Sequence, residues 1–458
     1  MTAAPLSYRR DVSRLLELGL PLIGSQLAQL SIGITDVVML GWYDIGALAA
    51  GVLGQSIFFA ILLLGAGFAF AVMPIVATAA TEGDTTALRR ATRMGLWLSV
   101  GFSLLILPVL LMGPTLFRLM GQAPDLADGA GLYLQIGAFG MAPALVLLTM
   151  RSTLAGVERT KIVLLVTVAS AVLNVGLNWV LIFGRFGVPE LGLAGSALAS
   201  VLVNLFGAIA LVFYAQKVLA AEQLFVRLWR IDWEALVKVA RLGFPIGLTY
   251  LSEVGLFAAA AVMVGWIGEV ELAAHGVALQ AASVTFMFHL GLSQAATIRA
   301  GNAYGRRDRF GFVRGAMTAF GLSGVFAVLT VLIFVLLPRP IAWIFLDSAD
   351  PLAPAVVEMA VILIFMAALF QVADAAQVMA LGLLRGLHDT AVPMWLAAGS
   401  YWGLGIPASY VLGSVLGYGA VGIWAGLVVG LGFAGALLLL RLRGRVGAMD
   451  EPDRGAAG

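Results

Sequence analysis

Long apolar runs recur from one end of this 458-residue chain to the other, and they limit the possible folds more than any other feature. The composition is 61% hydrophobic and 11% charged, with a mean hydropathy of +1.01. Each run can cross a bilayer core of about 30 Å as an α-helix. We therefore predict an all-α integral membrane protein with twelve transmembrane helices, at roughly 15–40, 52–78, 94–113, 130–150, 161–183, 192–215, 238–264, 275–298, 312–337, 355–380, 391–413 and 419–440.

Basic residues cluster at one end of these spans. The stretches before span 1 and after each even-numbered span contain most of the 27 Lys and Arg, for example Arg9, Arg89 and Arg306. The positive-inside rule then predicts that both termini lie in the cytoplasm. The same bias accounts for the basic loops without a nucleic-acid partner, and we expect none. The first run is too long for a cleavable signal peptide.

Several chemistries are excluded by the sequence. There is no cysteine, so disulfides, thiolate metal sites and cysteine nucleophiles are ruled out. We find no P-loop, zinc-protease motif, serine nucleophile elbow or potassium-channel filter sequence. An ATP-driven pump or a membrane enzyme would need such a feature. We therefore expect a protein that is not an enzyme and that has no cofactor.

The two halves of the chain are similar in sequence. Residues 18–50 align without a gap with residues 242–274, at a constant offset of 224. Six spans in each half predict two six-helix bundles in the same orientation, related by a pseudo-two-fold axis along the membrane normal. We expect an N-terminal lobe at 1–215, an amphipathic cytoplasmic linker at 216–241, and a C-terminal lobe with a short cytoplasmic tail at 242–458.

Three carboxylates, Asp36, Glu253 and Asp374, lie deep in apolar runs. A charge at bilayer depth costs roughly 2.5 kcal/mol or more, so such residues usually pair, line a wet cavity or titrate. No Lys or Arg lies at comparable depth in the predicted spans, which argues against structural ion pairs. We favour a role in transport over a structural one.

The depth of Asp36 in span 1 matches that of Asn178 in span 5. Asn174 and Asn178 are four residues apart, so they share one helical face. The three residues are predicted to share a polar pocket. The alternative is that the two Asn side chains only bond neighbouring helices, as polar groups in membranes often do.

Glu253 and Asp374 both lie about 16–18 Å from the cytoplasmic arginines, so they can face each other near the bilayer midplane. Two carboxylates that close share a proton or bind a cation such as Na⁺. A hard cation needs several oxygen ligands. The further candidates are Ser252, Gln371 and Gln377.

Two other residues within the spans are notable. Pro21 lies in span 1 and is a candidate hinge that bends when Asp36 changes protonation, because proline permits a helix kink. The alternative is an ordinary membrane-helix proline. His289 lies in the middle of span 8, where we expect it to form a hydrogen bond rather than to titrate.

Short motifs then occur in an ordered series along the chain. They are Asp36, the segment LNVGLNW at 173–179, IFG at 182–184, GFP at 243–245 before Glu253, Asp374, LRG at 384–386, Asp389-Thr390, Pro393, Tyr401-Trp402 and Pro407. In this order, and with twelve spans, the whole chain resembles the multidrug and toxic compound extrusion (MATE) family, particularly its NorM-like branch.

The resemblance implies a cation-coupled antiporter that expels cationic amphipathic drugs or dyes in exchange for Na⁺ or H⁺. By position it makes Asp36, Asn174 and Asn178 the N-lobe coupling site. Glu253 and Asp374 become the C-lobe cation site. NorM-like members often carry a tyrosine one turn before the span-10 acid, where this chain has Phe370. A hydroxyl ligand is missing there, so the choice between Na⁺ and H⁺ stays open.

We predict a secondary multidrug efflux antiporter that works by alternating access as a monomer in the lipid bilayer of a bacterial-type inner (plasma) membrane. The alternative is a flippase for a lipid-linked saccharide, a function of a related superfamily branch. Its pyrophosphate substrate would require Lys or Arg inside the spans. A non-transporting scaffold or sensor would need neither paired midplane acids nor a repeat.

Overall fold

The computed structural model describes residues 8–347 and 350–448, and within them it contains α-helices, π-helical segments and turns but no β-strand. The end of the predicted C-terminal tail lies outside the described residues. The elements up to the middle of the chain are α1 (Tyr8–Tyr43), α2 (Ile45–Glu82), α3 (Thr85–Leu111), α4 (Gly113–Leu119), α5 (Pro124–Gly156), α6 (Thr160–Phe183) and α7 (Gly192–Val218). They are followed by α8 (Trp233–Gly265), α9 (Glu269–Gly305), α10 (Arg309–Leu336), α11 (Pro338–Trp343), α12 (Ala353–Gly386), α13 (Ala391–Ser400), α14 (Ile406–Tyr410) and α15 (Gly419–Gly447).

Eleven helices in the described part of the chain are long and apolar enough to cross a membrane. The predicted span at 391–413 is not among them, because π-helical segments at Tyr401–Gly405 and Val411–Val415 interrupt it on either side of α14. These elements follow one another without a gap from Ala391 to Val415, so the region is one continuous helical path about as long as the predicted span. The predicted all-α, twelve-span fold class is confirmed.

The two π-helical segments lie where the chain packs closely on α15. A Cβ on Gly430 would lie 2.7 Å from the Cα of Gly405, and one on Gly426 would lie 2.2 Å from the Ser409 nitrogen. The Ser409 hydroxyl also donates to the Ile423 carbonyl at 2.9 Å. Glycines thus let the two backbones approach closely.

The chain forms two compact units. Among the described residues, unit 1 consists of residues 8–23, 249–347 and 350–448, and unit 2 of residues 24–248. Both divisions fall inside a helix, shortly after Pro21 in α1 and shortly after Pro245 in α8. The first part of α1 therefore belongs to the same unit as the C-terminal repeat, and the first part of α8 to the same unit as the N-terminal repeat.

A buried ion-pair cluster holds the start of α1 within unit 1. Arg299 of α9 donates to the Asp11 carboxylate at 2.5 Å and to the Asp11 carbonyl at 2.7 Å. Arg314 of α10 donates to the other carboxylate oxygen. Because Asp11 is only 2% exposed, these charge-assisted bonds fix the start of α1 firmly.

In unit 2, the start of α8 and the turn-rich connector at 219–232 are held against α3. Arg90 donates to both carboxylate oxygens of Asp232, at 2.5 and 2.9 Å. Arg93 donates to the Leu224 carbonyl at 2.8 Å. Since α8 begins at Trp233, the last part of the predicted linker is already helical.

Candidate functional site

Asp36 lies in α1 within unit 2 and is 3% exposed. The amides of Asn174 and Asn178, both from α6, donate to its Oδ1 at 2.9 and 2.6 Å. The Ser200 hydroxyl of α7 donates to its Oδ2 at 3.1 Å. The structure thus brings together the three residues predicted for the N-terminal site, and all three donors to the carboxylate are uncharged.

Ser200 was not predicted as a member of this cluster. It ends the small-residue run from Gly192, which is typical of close helix packing, so its hydroxyl carried no separate signal. Within the cluster, Asn178 also donates to Asn174 Oδ1 at 3.3 Å. The Asn178 Oδ1 is buried without a hydrogen-bond partner among the described residues. A proton on Asp36, or a small cation beside it, would have this oxygen available.

The second pair of predicted acids meets in unit 1. Glu253 of α8 is 6% exposed and Asp374 of α12 is 1% exposed, and the two side chains are close enough to interact electrostatically. Gln377 lies beside Glu253. Ser252, a further predicted ligand, uses its carbonyl to accept a hydrogen bond from the Trp402 indole at 3.3 Å.

Several oxygen atoms in this region have no hydrogen-bond partner. Across residues 8–347 and 350–448, none bonds to either carboxylate oxygen of Asp374, to Gln371 Oε1 or to the Tyr401 hydroxyl. The amide nitrogen of Gln371 is held by the Ala282 carbonyl at 3.2 Å. Because buried polar atoms are normally paired, this concentration of free oxygens is typical of a site that takes a cation or a proton.

Tyr401 is the residue that the sequence analysis did not place. It begins the first π-helical segment, is fully buried, and interacts electrostatically with both Glu253 and Asp374. Phe370, which stands where a tyrosine was expected, packs edge-on against Phe257 and Trp424 at ring distances of 5.8 and 5.9 Å. Phe370 is therefore part of the aromatic wall, and the Tyr401 hydroxyl lies buried in the same region without a hydrogen-bond partner among the described residues.

Arg385 of α12 adds a positive charge to this region. It donates to the Tyr250 hydroxyl at 2.8 Å, stacks over the Tyr250 ring at 4.7 Å, and interacts electrostatically with Glu253. With both acids ionised, the three charged groups carry a net charge of −1. One monovalent cation or one proton would neutralise the site.

The expectation that no Lys or Arg lies at depth within a span is wrong for Arg151. The apolar signal ends at residue 150, but α5 continues through small residues to Gly156 and leaves Arg151 only 8% exposed. Its guanidinium donates to the Gln26 amide oxygen at 3.2 Å and to that of Gln29 at 3.4 Å. Unit 2 thus contains a buried positive charge as well as Asp36.

The two remaining residues have simple environments. Pro21 lies inside α1, which continues as one helix from Tyr8 to Tyr43. His289 is fully buried, with its Nδ1 2.9 Å from the Ser323 hydroxyl. The predicted hydrogen bond of His289 is confirmed.

Comparison with known proteins supports one family. The MatE family model matches residues 21–180 and 245–411. The probable multidrug resistance protein NorM of Rhizobium meliloti is 45% identical over 438 residues, which cover 94% of each chain. The corresponding protein of Agrobacterium fabrum is 43% identical over 428 residues, covering 93% of this chain and 92% of the relative.

A solved structure has the same fold. An outward-facing multidrug resistance MATE family transporter of the MOP superfamily superposes with a TM-score of 0.85 at 20% identity, covering 96% of this chain and 97% of that one. The family model covers both sequence repeats, and the relatives match along almost their whole length. This multi-pass membrane protein therefore belongs to the MatE, or multidrug and toxic compound extrusion, family.

Proposed function

We propose that this protein is a secondary multidrug efflux antiporter of a bacterial inner membrane. It expels cationic amphipathic compounds in exchange for Na⁺ or H⁺ by alternating access. The observation that carries the proposal is a buried carboxylate site in each unit, at Asp36 in one and at Glu253 and Asp374 in the other. Relatives named as multidrug resistance proteins support drug efflux as the activity.

These sites suit a mechanism in which the cationic compound and the coupling cation compete for the same carboxylates. An empty carboxylate site attracts a cationic compound, and a coupling cation that binds there removes this attraction. Because linkage is reciprocal, the bound compound weakens ion binding by the same factor. The inward gradient of the ion then drives release of the compound to the outside, and loss of the ion to the cytoplasm resets the carrier.

The chemistry of the two sites leaves both coupling ions in consideration. Asp374, Gln371 and Tyr401 supply oxygen atoms that suit a hard cation such as Na⁺. Asp36, with three neutral donors and the free Asn178 oxygen nearby, suits a proton equally well. Each lobe therefore has its own means of coupling, and the gradient experiment below separates the two ions.

Pro21 is proposed as the hinge of α1. The division between the two units falls within three residues after Pro21, and the division in α8 falls within three residues after the repeat-related Pro245. A proline removes one backbone hydrogen bond, so bending at this position has a lower cost than elsewhere in the helix. Both termini would stay in the cytoplasm, and one chain carries both carboxylate sites, so a monomer suffices.

The proposal is tested by ethidium efflux from membrane vesicles with Na⁺ and pH gradients imposed separately. We expect one gradient or both to drive efflux from vesicles that contain the wild-type chain. Efflux that follows neither gradient would overturn the antiporter proposal. The Glu253→Gln and Asp36→Asn variants, inserted at wild-type levels, should each lower efflux. Wild-type efflux in both would remove these residues from the mechanism.

The lipid-linked saccharide flippase is the second candidate, because Arg151 places a positive charge within a span. A pyrophosphate carries more than one negative charge and calls for several charge-assisted donors. Arg151 stands with two neutral glutamines, which favours a ligand with less negative charge. Movement of a lipid-linked saccharide between leaflets of liposomes, without ethidium efflux, would favour the flippase.

A further inference from the structure

The sequence repeat relates two pairs of polar residues on the first helix of each repeat. At the offset of 224, Gln26 aligns with Tyr250 and Gln29 aligns with Glu253. In both repeats the two positions are three residues apart, so they lie on the same helical face one turn apart.

The structure places an arginine on this pair of positions in each unit. Arg385 of α12 contacts Tyr250 and interacts with Glu253 in unit 1. Arg151 of α5 contacts both of the aligned glutamines in unit 2. The arrangement is repeated, but the charge is not: the arginine of unit 1 has an acid beside it, and Arg151 has two neutral amides.

No carboxylate of the described residues forms an ion pair with Arg151, whose contacts are the two glutamines and which is only 8% exposed. A guanidinium stays protonated in proteins, so the positive charge persists. A buried charge without a counter-charge is strongly unfavourable. The missing counter-charge therefore points to an anionic ligand.

Solvent has access to this position through the two glutamines. Gln29 is exposed and Gln26 is half-buried. A polar amide exposed within a span faces water rather than hydrocarbon, because lipid cannot satisfy its hydrogen bonds. Each glutamine whose oxygen accepts from Arg151 also carries amide donors, so a guanidinium fork and amide hydrogens are available to an entering carboxylate.

Asp36 lies on the same face of α1, seven residues or two turns after Gln29, which is about 10 Å along the helix. A negative site and a positive site thus stand at the spacing of two charged groups in one drug-sized molecule. We propose that Arg151, Gln26 and Gln29 form an anion subsite that binds the carboxylate of a zwitterionic amphipathic substrate. This proposal rests on the proposed function, because it names the substrate class that the transporter takes.

Rhodamine 110 and its methyl ester rhodamine 123 test the subsite, because they differ only in a free carboxyl group. Each dye is titrated with the purified full-length protein in detergent, and binding is followed by fluorescence polarisation. We expect Arg151→Gln to weaken rhodamine 110 binding by about tenfold or more, since a charge-assisted bond is lost. The affinity for rhodamine 123 should stay within about twofold, since the ester has no charge to pair.

A second variant tests the same subsite while the arginine is kept. Gln29→Glu introduces the acid that stands at the repeat-related position in unit 1, so Arg151 gains an internal partner. We expect the same selective loss of rhodamine 110 binding. Lys161→Gln is the matched control, because it removes one positive charge from an exposed position of unit 2. It should leave the binding affinity for both dyes unchanged.

Equal weakening of both dyes by Arg151→Gln would assign Arg151 a purely structural role between α1 and α5 and overturn the proposal. Unchanged binding of rhodamine 110 in that variant would also overturn it. The titration needs no ion gradient, so it is independent of the efflux assay. Selective binding of the carboxylate dye without gradient-driven efflux would support the subsite proposal and contradict the antiporter proposal.

Discussion

The two units stabilise their buried carboxylates in opposite ways. In unit 2, Asp36 accepts hydrogen bonds from three uncharged donors. In unit 1, neither oxygen of Asp374 has a partner within the described residues, and Glu253 lies nearby. The first carboxylate is stabilised as it stands, whereas the second pair requires a proton or a cation. The two repeats therefore share their helices but differ in what their buried carboxylates need: Asp36 has its hydrogen-bond donors, whereas Asp374 needs a proton or a cation.

The largest effect should come from Asp374→Asn. We expect loss of ion-driven ethidium efflux by about tenfold to hundredfold, as is typical when a group that supports ion binding is removed. The melting temperature should stay the same or rise, because the variant replaces a buried, unpaired charge with a neutral amide. Unfolding can be followed by tryptophan fluorescence, since the chain has 10 Trp. A lower melting temperature with normal efflux would place the function elsewhere and remove the contrast between the units.

The same substitution in unit 2 should destabilise the protein. Asp36→Asn keeps one oxygen that can accept from the Asn174 and Asn178 amides, but it places an amide where Oδ2 accepts from the Ser200 hydroxyl. The two remaining hydrogen bonds lose their charge-assisted character, which weakens each by about 1 kcal/mol, and we expect a matching fall in melting temperature. The double variant Asp36→Asn/Asn178→Asp moves the carboxylate across the cluster and should recover part of the loss. Equal melting temperatures for Asp36→Asn and Asp374→Asn would show that the two sites do not differ in this way.

The sequence was sufficient for the parts of this comparison that depend on hydropathy and spacing. Apolar runs predicted the spans, and the four-residue spacing of Asn174 and Asn178 placed both on the helical face that meets Asp36. The burial of Arg151 was missed because α5 ends at Gly156, several residues beyond the last strongly apolar position. Small residues extend a helix without raising its hydropathy, so the signal and the helix end at different residues.

The position of Tyr401 could not be read from the sequence for a different reason. Its side chain belongs to a π-helical segment that packs on the glycines of α15, and this local widening depends on tertiary contact. The sequence of residues 391–413 is compatible with a regular 3.6-residue helical period, so it does not predict this widening. Tyr401 is thus a buried hydroxyl near the position of Phe370, on a helical segment whose geometry only the structure reveals.

A smaller effect is expected from Tyr401→Phe, which removes that hydroxyl and keeps the ring. If Tyr401 is a cation ligand of unit 1, Na⁺-driven efflux should fall by about threefold to tenfold, because one neutral ligand among several is lost. Efflux driven by a pH gradient should change little, because a proton needs only a carboxylate. The control is Tyr401→Phe/Phe370→Tyr, which returns a hydroxyl from α12 between Phe257 and Trp424. Equal losses under both gradients would remove Tyr401 from the ion site.

The smallest effect concerns how the first helix of each repeat is held. Asp11 at the start of α1 is buried between two arginines, whereas the Asp232 side chain before α8 is about a third exposed. The hydrogen bond from Arg90 lowers the pKa of Asp232 below its ordinary value of 3.8, with burial as a partly opposing influence. A lowered pKa in the folded state means that the stabilisation is complete above about pH 4 and is lost as the pH falls through the folded-state value.

Solvent screening at Asp232 keeps this contribution below about 1 kcal/mol, so the effect should be local to the connector at 219–232. A spin label on a cysteine introduced at the exposed Val226 reports it, since the chain has no native cysteine. We expect the label to be restrained at neutral pH and to become more mobile below about pH 4. In Asp232→Asn it should be mobile at every pH. A label that stays restrained in this variant would show that Arg93 and the other contacts to α3 are sufficient, and that the two helix starts are held with similar strength despite their different burial.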